Sequence, residues 1–432
     1  MLMRIAFLMF PLAAIAADWP QYRGPNRDDV SLEKGLLQSW PAAGPGLLWT
    51  FTEAGVGYSG PAIVDERLFL TGGRGDKEFL FALDLKSIRD GTVRELWAVE
   101  IGPLFEFKSN KWSAGPSATP TVDGNLVFAV GGNGDLVCVD ITTGKAAWRV
   151  HMPKDLGGQV NPIGGGPKDL GWGFTASPLV DGDQLVCLPG GSKGTLAALD
   201  KKTGKVLWRS TELKDQAAYT SPMVAEIDGI KQYVVFTNPG LAGVSAKDGK
   251  VLWNHRRKQA YGTEVINSPI IKDGMIYTTV AAGNGCSELI KVEKDNDTFK
   301  TSVVYSNRNL MNHHGNVLLL GDNIFGNGQG AGWACQNFKT GAIVWAERAR
   351  LQSGAVTCAD GRLYCLTEGD GTAALVEASE KAWKEHGRFK IPTRSKLKQP
   401  QGQIWTPPVV STGRLFLRDQ ELLYCYDVSV KK

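Results

Sequence analysis

The sequence predicts an all-β protein, an eight-bladed β-propeller, and three observations predict it. A unit of short apolar strands recurs along the chain, Gly is abundant at 52 of 432 residues, and the strand missing from the last unit stands alone near the start.

The clearest unit opens at Ser177-Pro178, runs through Leu179-Val180 to an Asp181-Gly182 turn, and continues with Leu185-Val186-Cys187-Leu188. Gly190-Gly191, the strand Leu196-Ala197-Ala198-Leu199-Asp200, Thr203-Gly204-Lys205 and Val206-Leu207-Trp208 complete it. The preceding copy runs from Thr119-Pro120 through Asp123-Gly124, Val139-Asp140 and Thr143-Gly144-Lys145 to Trp148. Other openings stand at Ser59-Gly60-Pro61, Ser221-Pro222 and Ser268-Pro269. Worn copies span about Gly315 to Trp345 and about Gly354 to Phe389, and the last opens at Thr406-Pro407. Counted by openings, these are eight units.

Asp-Gly between two apolar runs supplies the positive φ angles of a tight hairpin. The Gly of Thr-Gly-Lys does the same for the next hairpin. A sheet apolar on both faces must stack on neighbours, and a ring of sheets buries every face. Trp ends the units at 97, 148, 208, 253 and 345, with Tyr305 in place of the one missing between the last two. Trp148, Trp208 and Trp253 are expected to be buried between adjacent blades. The eighth unit stops after its third strand at Tyr424-Cys425-Tyr426-Asp427, while Leu47-Leu48-Trp49-Thr50-Phe51 has no unit before it. Pairing these two ends closes the ring and removes its open edges.

Residues 1–17 read as a signal peptide: Arg4, an apolar run over 5–12, then the small residues Ala14, Ala16 and Ala17. Cleavage is expected after Ala16 or Ala17. The run is shorter than the roughly 20 residues that span a bilayer, and Asp18-Trp19 stands where a lipid anchor needs Cys. The expectation is a periplasmic or secreted monomer with no transmembrane segment. Residues 18–46 read as an N-terminal segment packing on the propeller of 47–432. A net charge of +4, falling to +3 with the loss of Arg4, excludes an electrostatic case for nucleic acid. Cys138, Cys187, Cys286, Cys335, Cys358, Cys365 and Cys425 form no CxxC and no adjacent pair, and their apolar settings suggest buried thiols.

The recurring Leu-Asp, Thr-Gly-Lys and Trp resemble the tryptophan-docking motif of quinoprotein-like (PQQ-repeat) propellers. These include quinoprotein alcohol dehydrogenases and the outer-membrane assembly lipoprotein BamB, and the likeness covers roughly residues 47 to 427. The opening Asp18-Trp19-Pro20-Gln21-Tyr22-Arg23-Gly24-Pro25 resembles the mature N-terminus of secreted PQQ-binding-like propeller proteins of bacteria such as planctomycetes and verrucomicrobia. The resemblance implies the fold and leaves the activity open, because one propeller hosts unrelated functions. It makes PQQ and Ca²⁺ the cofactors to look for. The adjacent-Cys pair typical of quinoprotein alcohol dehydrogenases is absent, as is a cytochrome c motif.

Propeller ligands bind where the loops preceding the innermost strands converge. Those loops carry Tyr58, Lys111-Trp112, Trp172, Tyr219, Glu264 with Asn267, His313-His314, Gln352 and Trp405. For a cofactor, the candidates are Trp112, Trp172, Tyr219, Glu264, Asn267 and Trp405. Trp172 or Trp405 would support a planar ring, and Glu264 with Asn267 would offer oxygens to Ca²⁺. His313-His314 suits a metal in residue type, yet neighbours in an extended segment point apart. The Gly-rich stretch 155–167 lacks the Gly-Lys-Ser/Thr of a phosphate cradle and reads as a long loop over the channel mouth. Neither Gly-x-Ser-x-Gly nor His-Glu-x-x-His occurs. Two functions remain: a cell-envelope binding scaffold for a protein, glycan or small ligand, or a PQQ-dependent oxidoreductase acting on an alcohol or sugar.

Overall fold

The computed structural model describes residues 17–431 except 90, 282 and 297. The expected leader, residues 1–16, lies outside the described residues. Eight antiparallel sheets of four strands follow one another at 62–103, 121–151, 179–209, 223–256, 270–307, 317–347, 354–390 and 409–427, and they are numbered here as blades 1 to 8. Blade 8 takes its outer strand from the other end of the chain. Gly46–Phe51 pairs antiparallel with Leu422–Asp427, and Trp49 beneath it is 1% exposed. The only α-helix among the described residues is Met152–Leu156. Among the described residues, no helix is long and apolar enough to cross a membrane.

Two devices join neighbouring blades, and both use the repeat's punctuation. In the first, the Trp ending one blade lies on the turn glycine of the next, in Thr-Gly-Lys or, at Gly249, in Asp-Gly-Lys. A Cβ added to Gly144 would stand 2.7 Å from Trp97, one at Gly204 2.8 Å from Trp148, and one at Gly249 2.5 Å from Trp208. Each glycine also has φ near +70°, so the turn and the ring above it demand the same residue. The indole N–H groups of Trp97 and Trp148 then donate to the carbonyls of Ile141 and Lys201 in that turn, at 3.2 and 3.0 Å. Tyr305 copies the arrangement in blade 5, with its ring on Gly341 and its hydroxyl donating to the Phe338 carbonyl at 2.9 Å. One expectation needs correction: Trp253 is buried at 4% exposure, but Trp148 and Trp208 are only half-buried. Both still pack one face against the core between blades.

The second device is a relay at the blade entries. The N–H of Gly60 donates to the Thr119 hydroxyl at 3.2 Å, Thr119 N–H to the Ser177 hydroxyl, Ser177 N–H to that of Ser221, and Ser221 N–H to that of Ser268, each at 2.9 Å. The hydroxyl before each Pro thus satisfies a buried donor of the previous blade. All seven Cys are buried free thiols.

The N-terminal segment crosses one end of the central channel. Trp19 bridges to Ile63 of blade 1, and the Pro20 carbonyl accepts from Val122 of blade 2. Arg27 donates to the carbonyls of Ser177 and Pro178 at the entry to blade 3, and Arg23 to Val317 of blade 6. Val30–Ser31 adds a parallel strand to Gly354–Ala359, inside blade 7. The segment therefore ties together blades on opposite sides of the ring.

Candidate functional site

At the opposite end, the loops entering the innermost strands surround a cavity of about 810 Å³. Its mouth carries the rings of Tyr58, Trp112, Trp172, Tyr219 and Trp405, and its floor is the crossing segment, with Trp19, Tyr22, Arg23 and Asp29. The crossing segment thus converts a through-channel into a one-ended pocket.

The rings are held by their polar ends. The Tyr58 hydroxyl donates to the Trp112 carbonyl at 2.8 Å, and the Tyr219 hydroxyl to that of Asn161 at 2.6 Å. The indole N–H of Trp172 donates to Glu264 at 3.1 Å, and that of Trp405 to Glu368 at 3.2 Å. Trp112 and Trp172 meet edge to face at 5.8 Å, while His314 stacks on Trp405 at 4.6 Å. Burial pushes the Glu368 carboxyl up, opposed by the Trp405 indole. His313 and His314 both border the cavity with their rings 4.1 Å apart, rather than pointing apart as an extended segment suggests, and His313 is the more exposed of the two. Burial holds both imidazoles below their usual range, His314 further because His313 adjoins it.

The Gly-rich loop folds over this wall. A side chain at Gly164 would collide with the Glu264 carboxylate, and one at Gly165 with the Trp172 ring. Glycine is what lets the loop lie so close.

Trp112, Trp172, Tyr219, Glu264 and Trp405 stand on the cavity wall, with Tyr58, His313 and His314 beside them. Asn267 does not, contrary to the expectation. It is 3% exposed, and its amide donates to the carbonyls of Asn312 at 3.0 Å and His313 at 3.3 Å, so it braces blades 5 and 6. Lys111 and Gln352 also lie off the wall. The sequence reading missed Glu368, which sits between the second and third strands of blade 7 rather than before its first. It also missed Arg23 and Asp29, a buried ion pair at 2.6 Å.

A family profile described as outer membrane protein assembly factor BamB matches residues 76–347. The chain belongs to the BamB family. BamB of Moraxella catarrhalis has 13% identity and a TM-score of 0.54, over 86% of this chain and 99% of its own. A quinohemoprotein alcohol dehydrogenase from Comamonas testosteroni has 11% identity and a TM-score of 0.62, over 96% of this chain and 81% of its own. A computationally designed protein, Ika8, has 11% identity and a TM-score of 0.55, over 89% of this chain and 100% of its own. At these identities the likeness is one of fold. No curated protein matches the chain.

The sequence resemblance makes PQQ and Ca²⁺ the groups to test, and the residues of this BamB-family cavity do not fit them. PQQ is a tricarboxylate and needs cations. Arg23 is the basic side chain on the described wall, and Asp29 and the Val317 carbonyl, at 2.7 Å, already take its donors. The remaining charged groups there are carboxylates. Nor do the oxygens expected to hold Ca²⁺ converge, since Asn267 turns away from Glu264. Among the described residues, no three of His, Cys, Asp and Glu stand together as a metal site.

Proposed function

We propose that the protein is a non-catalytic binding propeller of the cell envelope, and that the aromatic pocket holds a neutral, hydroxyl-rich ligand, a segment of glycan. One observation carries this reading: Glu264 and Glu368 are each aimed by the indole N–H of a wall Trp, in a pocket whose guanidinium is already neutralised. Carboxylates so placed accept hydrogen bonds from hydroxyl groups, and the aromatic faces beside them cover the apolar faces of a sugar ring. His313 and His314 supply further ring nitrogens for hydrogen bonding. Envelope placement draws on the BamB-family description and on the leader-like residues 1–17.

Quenching of Trp fluorescence by neutral tetrasaccharides of the cello-, malto- and chito- series tests this directly. Saturable quenching is expected, with Trp172→Ala weakening it by about tenfold or more, the equivalent of ~1.4 kcal/mol. Glu264→Gln should weaken it as well. Tight binding of PQQ with Ca²⁺, and dye reduction in the presence of an alcohol, would replace this reading with that of a quinoprotein oxidoreductase.

A further inference from the structure

The backbone N–H of Ala17 donates to Glu33 Oε1 over 2.6 Å, and the Ala17 carbonyl accepts from the Ser411 hydroxyl at 2.8 Å. Glu33 is 2% exposed. Its remaining bonds come from backbone N–H groups at the tip of the first hairpin of blade 8: Thr412 at 2.7 Å to Oε1 and Gly413 at 2.9 Å to Oε2. No Lys, Arg or His pairs with this carboxylate among the described residues. A buried carboxylate without a counter-charge is costly, and here three neutral N–H donors stand in for one. The shortest of its three hydrogen bonds comes from the nitrogen of Ala17.

We propose that Ala16–Ala17 is a processing site, and that the cut creates the cation Glu33 lacks. Water adds across this peptide bond, Ala16 leaves with the new carboxylate, and the freed Ala17 amine takes up a proton to become an ammonium against Glu33. An α-amine of ordinary basicity, with a pKa of about 8, is charged at neutral pH, and a carboxylate beside it favours that form further. Ala14-Ile15-Ala16 offers the small-x-small pattern that leader peptidases accept. The sequence alone admits cleavage after Ala16 or Ala17, and the geometry separates them. A cut after Ala17 discards both bonds that Ala17 makes and carries the new amine one residue away from Glu33. The mature N-terminus is then a structural part: it fastens the crossing segment to blade 8 and so holds the floor of the pocket. This inference stands independently of what the pocket binds.

Two measurements test it. The full chain is exported from a Gram-negative host and its intact mass determined, and the product is expected to begin at Ala17. Chains released from a fusion partner to begin at Ala16, Ala17 or Asp18 are then melted side by side. The chain beginning at Ala17 should melt several degrees above the other two, and Glu33→Gln should erase its advantage over the chain beginning at Ala16. Should that variant fail to fold, the comparison of the Ala16 and Ala17 chains decides alone. An exported product beginning anywhere else, or equal melting of those two chains, overturns the proposal.

Discussion

Arg418 is fully buried where the last blade meets the first, and carbonyls rather than a carboxylate hold it. Its guanidinium donates to Gln420 at 2.8 Å, to Ser59 and Thr71 at 2.9 and 2.8 Å, and to Ala54 and Gly55 at 3.3 and 3.2 Å. Burial pushes this guanidinium down to about 9. Five carbonyls from both ends of the chain therefore converge on one planar fork, which a Lys cannot imitate. Arg418→Met should cost at least ~3 kcal/mol, since each orphaned buried acceptor costs about 1–3 kcal/mol. The urea midpoint reads it, and a midpoint like that of the parent would contradict the role. Glu78 bears on pH instead. Burial pushes its carboxyl from 4.5 up to about 7, while the N–H groups of Phe105 and Gly132 pull the other way. A carboxyl raised by folding adds stability that is complete below its unfolded value and is lost as pH rises through its folded one. The melting temperature should therefore fall from about pH 5 to about pH 8 through this residue, and Glu78→Gln should flatten that slope. Gln keeps only one of the two acceptors and melts lower throughout, so the slope is the readout. An unaltered slope would exclude Glu78 as its source.

At the scale of the element, two glycines of blade 3 separate turn geometry from docking. Gly182 has φ +62° with nothing within 4 Å of an added Cβ, whereas Gly204 has φ +73° with the Trp148 ring at 2.8 Å. Gly182→Ala should cost ~1–2 kcal/mol from left-handed backbone alone. Gly204→Ala should cost about 1–3 kcal/mol more, from the collision. Equal urea midpoints would deny the docking its energetic role. The blades were legible in the sequence because such positions admit so few residues: Asp-Gly, Thr-Gly-Lys and Trp mark hairpins and joints even where Tyr305 replaces a Trp. Much of the pocket was legible for the same reason, since Trp112, Trp172, Tyr219, Glu264 and Trp405 each precede the first strand of a blade. Asn267 was misread because proximity to Glu264 along the chain does not fix where an amide points, and its partners lie in the entry to blade 6. Glu368 sits on a different loop of a worn repeat. Arg23, Asp29 and Arg418 carry no repeat signature, and only the folded ring brings their partners together.

For the whole molecule, deletion of residues 18–51 removes the pocket floor and the outer strand of blade 8 together. The melting temperature should drop sharply, because Trp49 and an entire sheet edge are lost. A melting curve like that of the intact chain would refute closure through Gly46–Phe51. Substituting Arg23 alone makes a narrower cut, removing the partner of buried Asp29 while the outer strand stays in place.

The pairing of Gly46–Phe51 with Leu422–Asp427 also sets an order of events during synthesis. A chain made from its N-terminus delivers the first of these strands early and its partner almost last. Hairpins within each blade are local and form meanwhile, so the nascent protein is an open crescent with one orphan strand. Joining the two ends pairs Gly46 with Asp427, among the longest-range contacts in the fold, and carries a large loop-closure cost. Until then Trp49 is uncovered and a strand edge is unpaired, the state most exposed to aggregation. Ring closure, rather than any single blade, is therefore the step expected to limit the yield of folded protein.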